Sequence, residues 1–128
     1  MNLAALNAVV YAKDARRLAG FYASALGLAE VEAGDGFVRL AGAGFELTVV
    51  QAPAAIADGI VIAQPPEARE ATPIKLSFAV PAIEPLRAGI DGLGGGLKPA
   101  DAAWTWHGAR HLDGWDPEGN VFQLRENA

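Results

Sequence analysis

An α+β fold made of two βαβββ modules follows from three features of this chain: an internal repeat, a capped helix signal in each half, and short strand-like runs in matching order. Residues 3–51 and 73–126 read as the same series of elements. The 128 residues, 52% of them hydrophobic, suffice for one domain with a sizeable core and are too few for two ordinary ones. The organisation is therefore a single domain over 1–128, with module 1 at about 1–51, a connector at 52–72 and module 2 at about 73–128.

Each half opens with a strand signal, LAALNAVVYA and PIKLSFAV, rich in β-branched, aromatic and small residues. A helix follows in both. In the first, Asp14 is placed to cap the start, Leu18, Phe21, Tyr22, Ala25 and Leu26 recur at helical spacing, and Gly27 suits a left-handed stop. In the second, Leu86, Ile90 and Leu93 form one stripe, Pro85 fits only the first turn, and the glycines at 94–96 terminate it. Three short strands complete each half, around LAEVEA, FVRLAG and FELTVVQ, then around LKPA, ARHLDGW and NVFQLRE. Counting from the first strand, Asn7 matches Lys75, Val10 matches Phe78 and Leu18 matches Leu86. Phe45-Glu46-Leu47 then matches Phe122-Gln123-Leu124, at an offset enlarged by an insertion near the tryptophans. The alanine- and proline-rich connector is long for a compact domain and reads as a crossing arm or lid.

Composition sets aside several classes. With no cysteine there is no disulfide framework, thiolate zinc site or cysteine nucleophile, and the cytoplasm is the default expectation. The net charge of −5 disfavours nucleic acid, and the apolar runs fall short of a membrane span. The start MNLAALNAVV lacks the basic and uninterrupted apolar regions of a secretory signal. GLGGG at 92–96 follows a helix and lacks the Lys-Ser/Thr end of a phosphate loop, so it reads as a turn.

NAVVYAKDARRLAGFYASALG, residues 7–27, resembles the opening of modules of the vicinal oxygen chelate superfamily, the glyoxalase, bleomycin-resistance and extradiol-dioxygenase group. DPEGNVFQL, residues 116–124, resembles their closing hairpin. The latter is also a good tight turn by composition, with Pro117 and Gly119 at suitable positions and Asp116 able to bond the turn backbone; its weight comes from lying directly before the last strand. The resemblance implies a cupped, incomplete barrel, often assembled with a second chain, and a divalent metal held by one side chain from the first and one from the last strand of each module. Carried over, those positions are Asn7, Glu46, Lys75 and Gln123. Only Glu46 is a good ligand: the amides are weak donors and a protonated lysine has no lone pair. No metal or other cofactor is therefore expected at the usual position.

One expectation is that the Lys75 ammonium replaces the metal's charge and pairs with Glu46, with Asn7 and Gln123 satisfying the remaining hydrogen bonds. Alternation places Lys75 and Ser77 on the face opposite Leu76, Phe78 and Val80. The alternative is that Lys75 snorkels into solvent. In WTWHGARHLDGWD, residues 104–116, Leu112 is expected to face the core, and His111, Asp113 and Trp115 the cavity. His111 beside Asp113 has the composition of a general acid or base; the commoner fate is a hydrogen-bonded histidine on a half-exposed strand. Tyr11, Trp104, Trp106 and Trp115 offer flat faces to a planar or cationic ligand, or else a subunit interface. Arg39 is placed to balance Glu46 or meet an anionic substrate, or is a solvated surface residue.

The leading functional reading is a glyoxalase/bleomycin-resistance-like protein, either a binder or a metal-independent enzyme, holding a small organic molecule. Sequestration of a drug-like aromatic or cationic compound fits it. The alternatives are a metal-dependent glyoxalase-type lyase or isomerase or a dioxygenase, with Glu46, Lys75 and His111 as catalytic candidates, and a structural or regulatory dimer without catalysis. Open strand edges and an apolar face predict a homodimer.

Overall fold

The computed structural model describes residues 3–128, which divide into two units with a boundary between Val61 and Ile62. In the first unit, β1 (Leu6–Ala12) is followed by α1 (Ala15–Leu26), β2 (Ala29–Gly34), β3 (Phe37–Gly42), β4 (Phe45–Gln51) and the one-turn α2 (Ala54–Ala57). The strands form one open sheet in the order β1-β4-β3-β2, with β1 parallel to β4 and the other neighbours antiparallel. A parallel pair needs a crossover, and α1 opens it.

The sequence explains this arrangement. Asp14 accepts a hydrogen bond from the Arg17 amide at 3.1 Å and so caps α1, while Gly27 ends it at φ 71°, where a side chain would cost energy. Leu18, Phe21, Tyr22 and Ala25, at helical spacing, are all buried, and the Phe21 and Tyr22 rings meet edge to face at 5.1 Å. Beneath them lie Val38, Leu40, Leu47 and Val49, which alternate along β3 and β4. The intervening residues of those strands are left on the sheet's other face.

The second unit has β5 (Leu76–Ala79), a 3-10 turn at Glu84–Leu86, α3 (Arg87–Gly92), β6 (Gly96–Leu97), β7 (Trp104–Trp106), β8 (Ala109–Trp115) and β9 (Val121–Asn127). Its order is β5-β9-β8-β6, again with the first strand parallel to the last, and β7 pairs β8 as an extra hairpin. Both units thus carry the βαβββ order expected from the repeat. The predicted stripe Leu86, Ile90 and Leu93 needs correction: Ile90 is fully buried, but Leu86 is half-buried and Leu93 exposed. Pro85 tightens the first turn to 3-10 geometry, and glycines at 89 and 92 add no apolar surface, leaving Ile83 to join Ile90 in the core. They share it with Phe78, Leu97, Leu112, Phe122 and Leu124. The tryptophan segment is a two-residue hairpin, because His107 and Gly108 both take positive φ, 50° and 71°, as a turn matching strand twist requires.

The connector is shared between the units at Val61/Ile62. Its second half is a strap laid on the closing turn of residues 116–120: the Arg69 amide donates to Gly119 O at 2.8 Å, and the Arg69 guanidinium to Asn120 Oδ1. Asp116 organises that turn as expected, accepting from the Glu118 and Asn120 amides at 2.9 and 3.0 Å. Gly119 sits at φ 83°, and a Cβ there would collide with the Glu67 carbonyl. A few residues along, Glu70 pairs with Lys98 at 2.6 Å, a hydrogen bond that holds the carboxyl below its usual range and the lysine above its own.

Two outcomes follow for the strap. Gly119→Ala is expected to cost about 1–3 kcal/mol in denaturant unfolding and to raise amide exchange at Arg69. The Glu70–Lys98 pair adds stability above the ordinary glutamate range and loses it as the pH falls through the lowered Glu70 pKa; towards alkali it is lost as the pH rises through the raised Lys98 pKa. An NMR titration is expected to place Glu70 below the ordinary range, and Lys98→Met to return it there.

Candidate functional site

Each sheet has one face under its helix and one free of it, and the free faces carry the polar side chains. In the first unit, ladder partners Asn7 and Glu46 lie on that face, with Thr48 and Arg39 in the next row. Asn7 Oδ1 accepts from the Thr48 hydroxyl at 3.1 Å. Glu46 receives the Arg39 guanidinium at 2.8 Å, the pairing expected for Arg39, and Glu32 takes its other nitrogen. These two carboxylates, Glu46 foremost, raise the arginine's pKa. Tyr11 is 67% exposed, on the same face as Asn7 two rows away.

In the second unit the register corrects an expected correspondence. Leu6 pairs with Phe45 and Asn7 with Glu46; in the same way Leu76 pairs with Phe122 and Ser77 with Gln123. The counterpart of Asn7 is therefore Ser77, and Lys75 lies two residues earlier, just ahead of β5. Counting at a constant offset misses this because strand composition does not reveal which residue of β5 meets which residue of β9; the ladder moves the match two residues along, from Lys75 to Ser77. Ser77 donates to Gln123 Oε1 at 2.6 Å and accepts from Arg125 Nε at 2.8 Å, forming a short polar chain.

The expected Lys75–Glu46 pair is replaced by two others. Lys75 binds Asp113 Oδ2 at 3.0 Å and lies 5.5 Å from the centre of the Trp104 ring, while Glu46 is held by Arg39. Lys75 is neither buried nor free in solvent: its side chain is 34% exposed and Asp113's 16%. Asp113 thus turns to Lys75 rather than to His111, so the alternative of a histidine–carboxylate couple gives way to the commoner fate, a hydrogen-bonded histidine. His111, 3% exposed, has Nδ1 at 3.1 Å from the Ala109 carbonyl and stacks on Trp104 at 5.3 Å. The strand register is the expected one, since Leu112 is fully buried between flanking residues on the other face. Trp115 serves packing: its ring covers Gly96, where any Cβ would strike it. Trp104 and Trp106 are exposed, the latter to 62%.

Beside this cluster is a cavity of about 290 Å³, lined by Lys75, Asp113 and Val121, by Lys98, and by the strap residues Glu70, Thr72 and Pro73. Of its charged lining, Lys98 and Glu70 carry no sequence signal of a site; Lys98 follows β6, and only the fold of the connector brings Glu70 to it.

A divalent metal would find poor donors at the family positions. Asn7 and Gln123 offer amide oxygens already engaged by hydroxyls, Ser77 a neutral hydroxyl, and Glu46 a carboxylate already paired with arginine. Among the described residues no three His, Cys, Asp or Glu side chains gather in a metal-binding group. The residues present do not fit the ion. Nor, among those residues, is any helix long and apolar enough to cross a membrane.

Comparison with known proteins agrees with this architecture. The family model described as a glyoxalase-like domain matches residues 7–125. A glyoxalase-related enzyme from Fulvimarina pelagi is similar at 21% identity and a TM-score of 0.69, over 95% of this chain and 86% of that one. A glyoxalase/bleomycin resistance protein/dioxygenase family enzyme from Burkholderia phytofirmans PsJN is 20% identical, with a TM-score of 0.69, over 95% and 97%. A mutant fosfomycin resistance protein from Listeria monocytogenes, complexed with Mn(II) and a dihydroxypropylphosphonic acid, is 14% identical, with a TM-score of 0.65, over 99% and 90%. No curated protein matches the sequence. With the family pattern spanning both modules and the same fold in these relatives, the chain belongs to the glyoxalase-like domain family of the vicinal oxygen chelate superfamily.

Proposed function

We propose that this chain binds a small organic molecule on the free face of its second sheet, without a divalent metal at the positions the family uses. The observation that carries this reading is the grouping of exposed Trp104 with the Lys75–Asp113 pair beside a cavity of about 290 Å³. An indole face supplies apolar contact and attracts cations, and the ion pair supplies orientation; such a combination retains a ligand without a Lewis acid. Asn7, Gln123, Arg39 and Tyr11 belong to the polar environment of the free faces in this reading, and His111 supports Trp104 by stacking rather than acting as an acid or base. A sequestering protein needs no more than this.

A homodimer is part of the same proposal. Strand β1 is a sheet edge and carries Val9 and Tyr11, both more than half exposed, on its free face, and a second copy would remove that apolar surface from water.

Metal analysis of protein purified without added metal is expected to find less than stoichiometric nickel, zinc, manganese or iron; a full equivalent would reverse the ordering in favour of a metal-dependent lyase, isomerase or dioxygenase. In a screen of small aromatic and heterocyclic compounds, binding is expected to change tryptophan fluorescence, with Trp104→Ala weakening it about tenfold, on the scale of one lost aromatic contact. A screen without a single binder would leave the non-catalytic structural dimer as the better reading. Sedimentation is expected to give twice the 13.3 kDa chain mass.

A further inference from the structure

The carboxylate of Asp113 is only half used. Oδ2 takes the Lys75 ammonium at 3.0 Å, whereas Oδ1, buried, has no hydrogen-bond partner. A buried acceptor left in that condition is costly, more so when it is charged, so there is a standing gain for any group that brings it a donor. Lys75 itself shows which chemistry the place favours: a cation lies between a carboxylate and an indole face, 5.5 Å from the ring centre. Yet an ammonium is a compact point charge and engages one oxygen here, leaving the other unmet.

We infer that the ligand of this cavity is a planar cation bearing two adjacent N–H donors, an amidinium, guanidinium or protonated 2-amino heterocycle, that engages both oxygens of Asp113 and lays its plane near Trp104. The inference rests on the small-molecule-binding reading above and narrows it to a chemical class. Two parallel N–H groups match the two oxygens of a carboxylate, and the match satisfies Oδ1 in the same step that replaces Lys75 on Oδ2. Lys75 is the group that yields. It is the more exposed partner, at 34% against 16%, its stem is long, and it lies just ahead of β5 rather than within it. The cavity it lines gives the incoming group room, and Glu70 and Lys98 at the same cavity are already neutralised by each other. Lys75 therefore acts as an internal occupant of the slot, competing with the ligand.

The competition gives a test that a merely structural ion pair would fail. Calorimetric titrations with benzamidine, benzylamine and benzoate, three probes sharing one ring, are expected to rank in that order, with benzamidine at least about tenfold tighter than benzoate. Lys75→Met is expected to tighten benzamidine binding several-fold, since the competing ammonium is gone, and Asp113→Asn to abolish the preference for the cation. The indole N–H resonance of Trp104 is expected to shift on binding. Benzoate binding as tightly as benzamidine overturns the inference, as does a Lys75→Met protein that binds benzamidine more weakly than the parent. The ranking in the unaltered chain decides the matter even where a variant fails to fold. If the broad screen yields binders but the cations are not preferred, the inference falls alone; if neither the screen nor these probes bind, the proposed function falls with it.

Discussion

Parallel pairing of the first strand of each unit against its last is the constraint on which the rest depends. A parallel ladder cannot be closed by a tight turn, so the chain must leave the first strand, cross by a helix and return through the antiparallel strands before the last one arrives. The crossing helix covers one face of the sheet. Along β3, β4 and β9 alternate residues are thereby committed to the core and to the free face. The same ladder fixes which free-face residues become neighbours: Asn7 with Glu46, and Ser77 with Gln123.

On those free faces the two units use their polar residues differently. The first ties Glu32, Arg39 and Glu46 into one ion-pair group and leaves apolar Val9 and Tyr11 exposed. The second spreads its charges, with Lys75 on Asp113, Lys98 on Glu70 and Arg125 on Ser77, and gathers its aromatic side chains around His111. A repeat of one backbone plan thus presents two chemistries. The difference arises mainly in the hairpin at Trp104–Trp106, which has no counterpart in the first unit, and in the strap, which brings carboxylate and hydroxyl groups that neither repeat encodes.

The fold was legible because its signals are local and redundant. Asp14, Gly27 and the spacing of Leu18, Phe21, Tyr22 and Ala25 define a helix without reference to anything distant, and Leu112 between His111 and Asp113 declares the facing of its strand by alternation. The candidate site was only partly legible, because its geometry is a matter of pairing between strands far apart in sequence. Matching Lys75 to Asn7 takes a constant offset between the repeats; the ladder shifts it by two residues, which preserves facing, since alternation has period two, while moving the side chain to another row. Lys75 thus keeps the face that alternation gives it, while its partner is Asp113 and that of Glu46 is Arg39. Asp113 reads in the sequence as a neighbour of His111, since i, i+2 proximity is visible there and a contact across a sheet is not.

The strap's position separates two properties that most binding sites fix together. In the binding reading proposed above, the recognising groups Asp113 and Trp104 belong to the second sheet and its hairpin, whereas the wall that bounds the space beside them, Glu70 to Pro73, belongs to the connector, which the core does not govern. Insertions, deletions or exchanges in this stretch can therefore resize the compartment while the recognition chemistry stays in place. Within such a scaffold, the size of the compartment and the chemistry beside it reside in different segments of the chain.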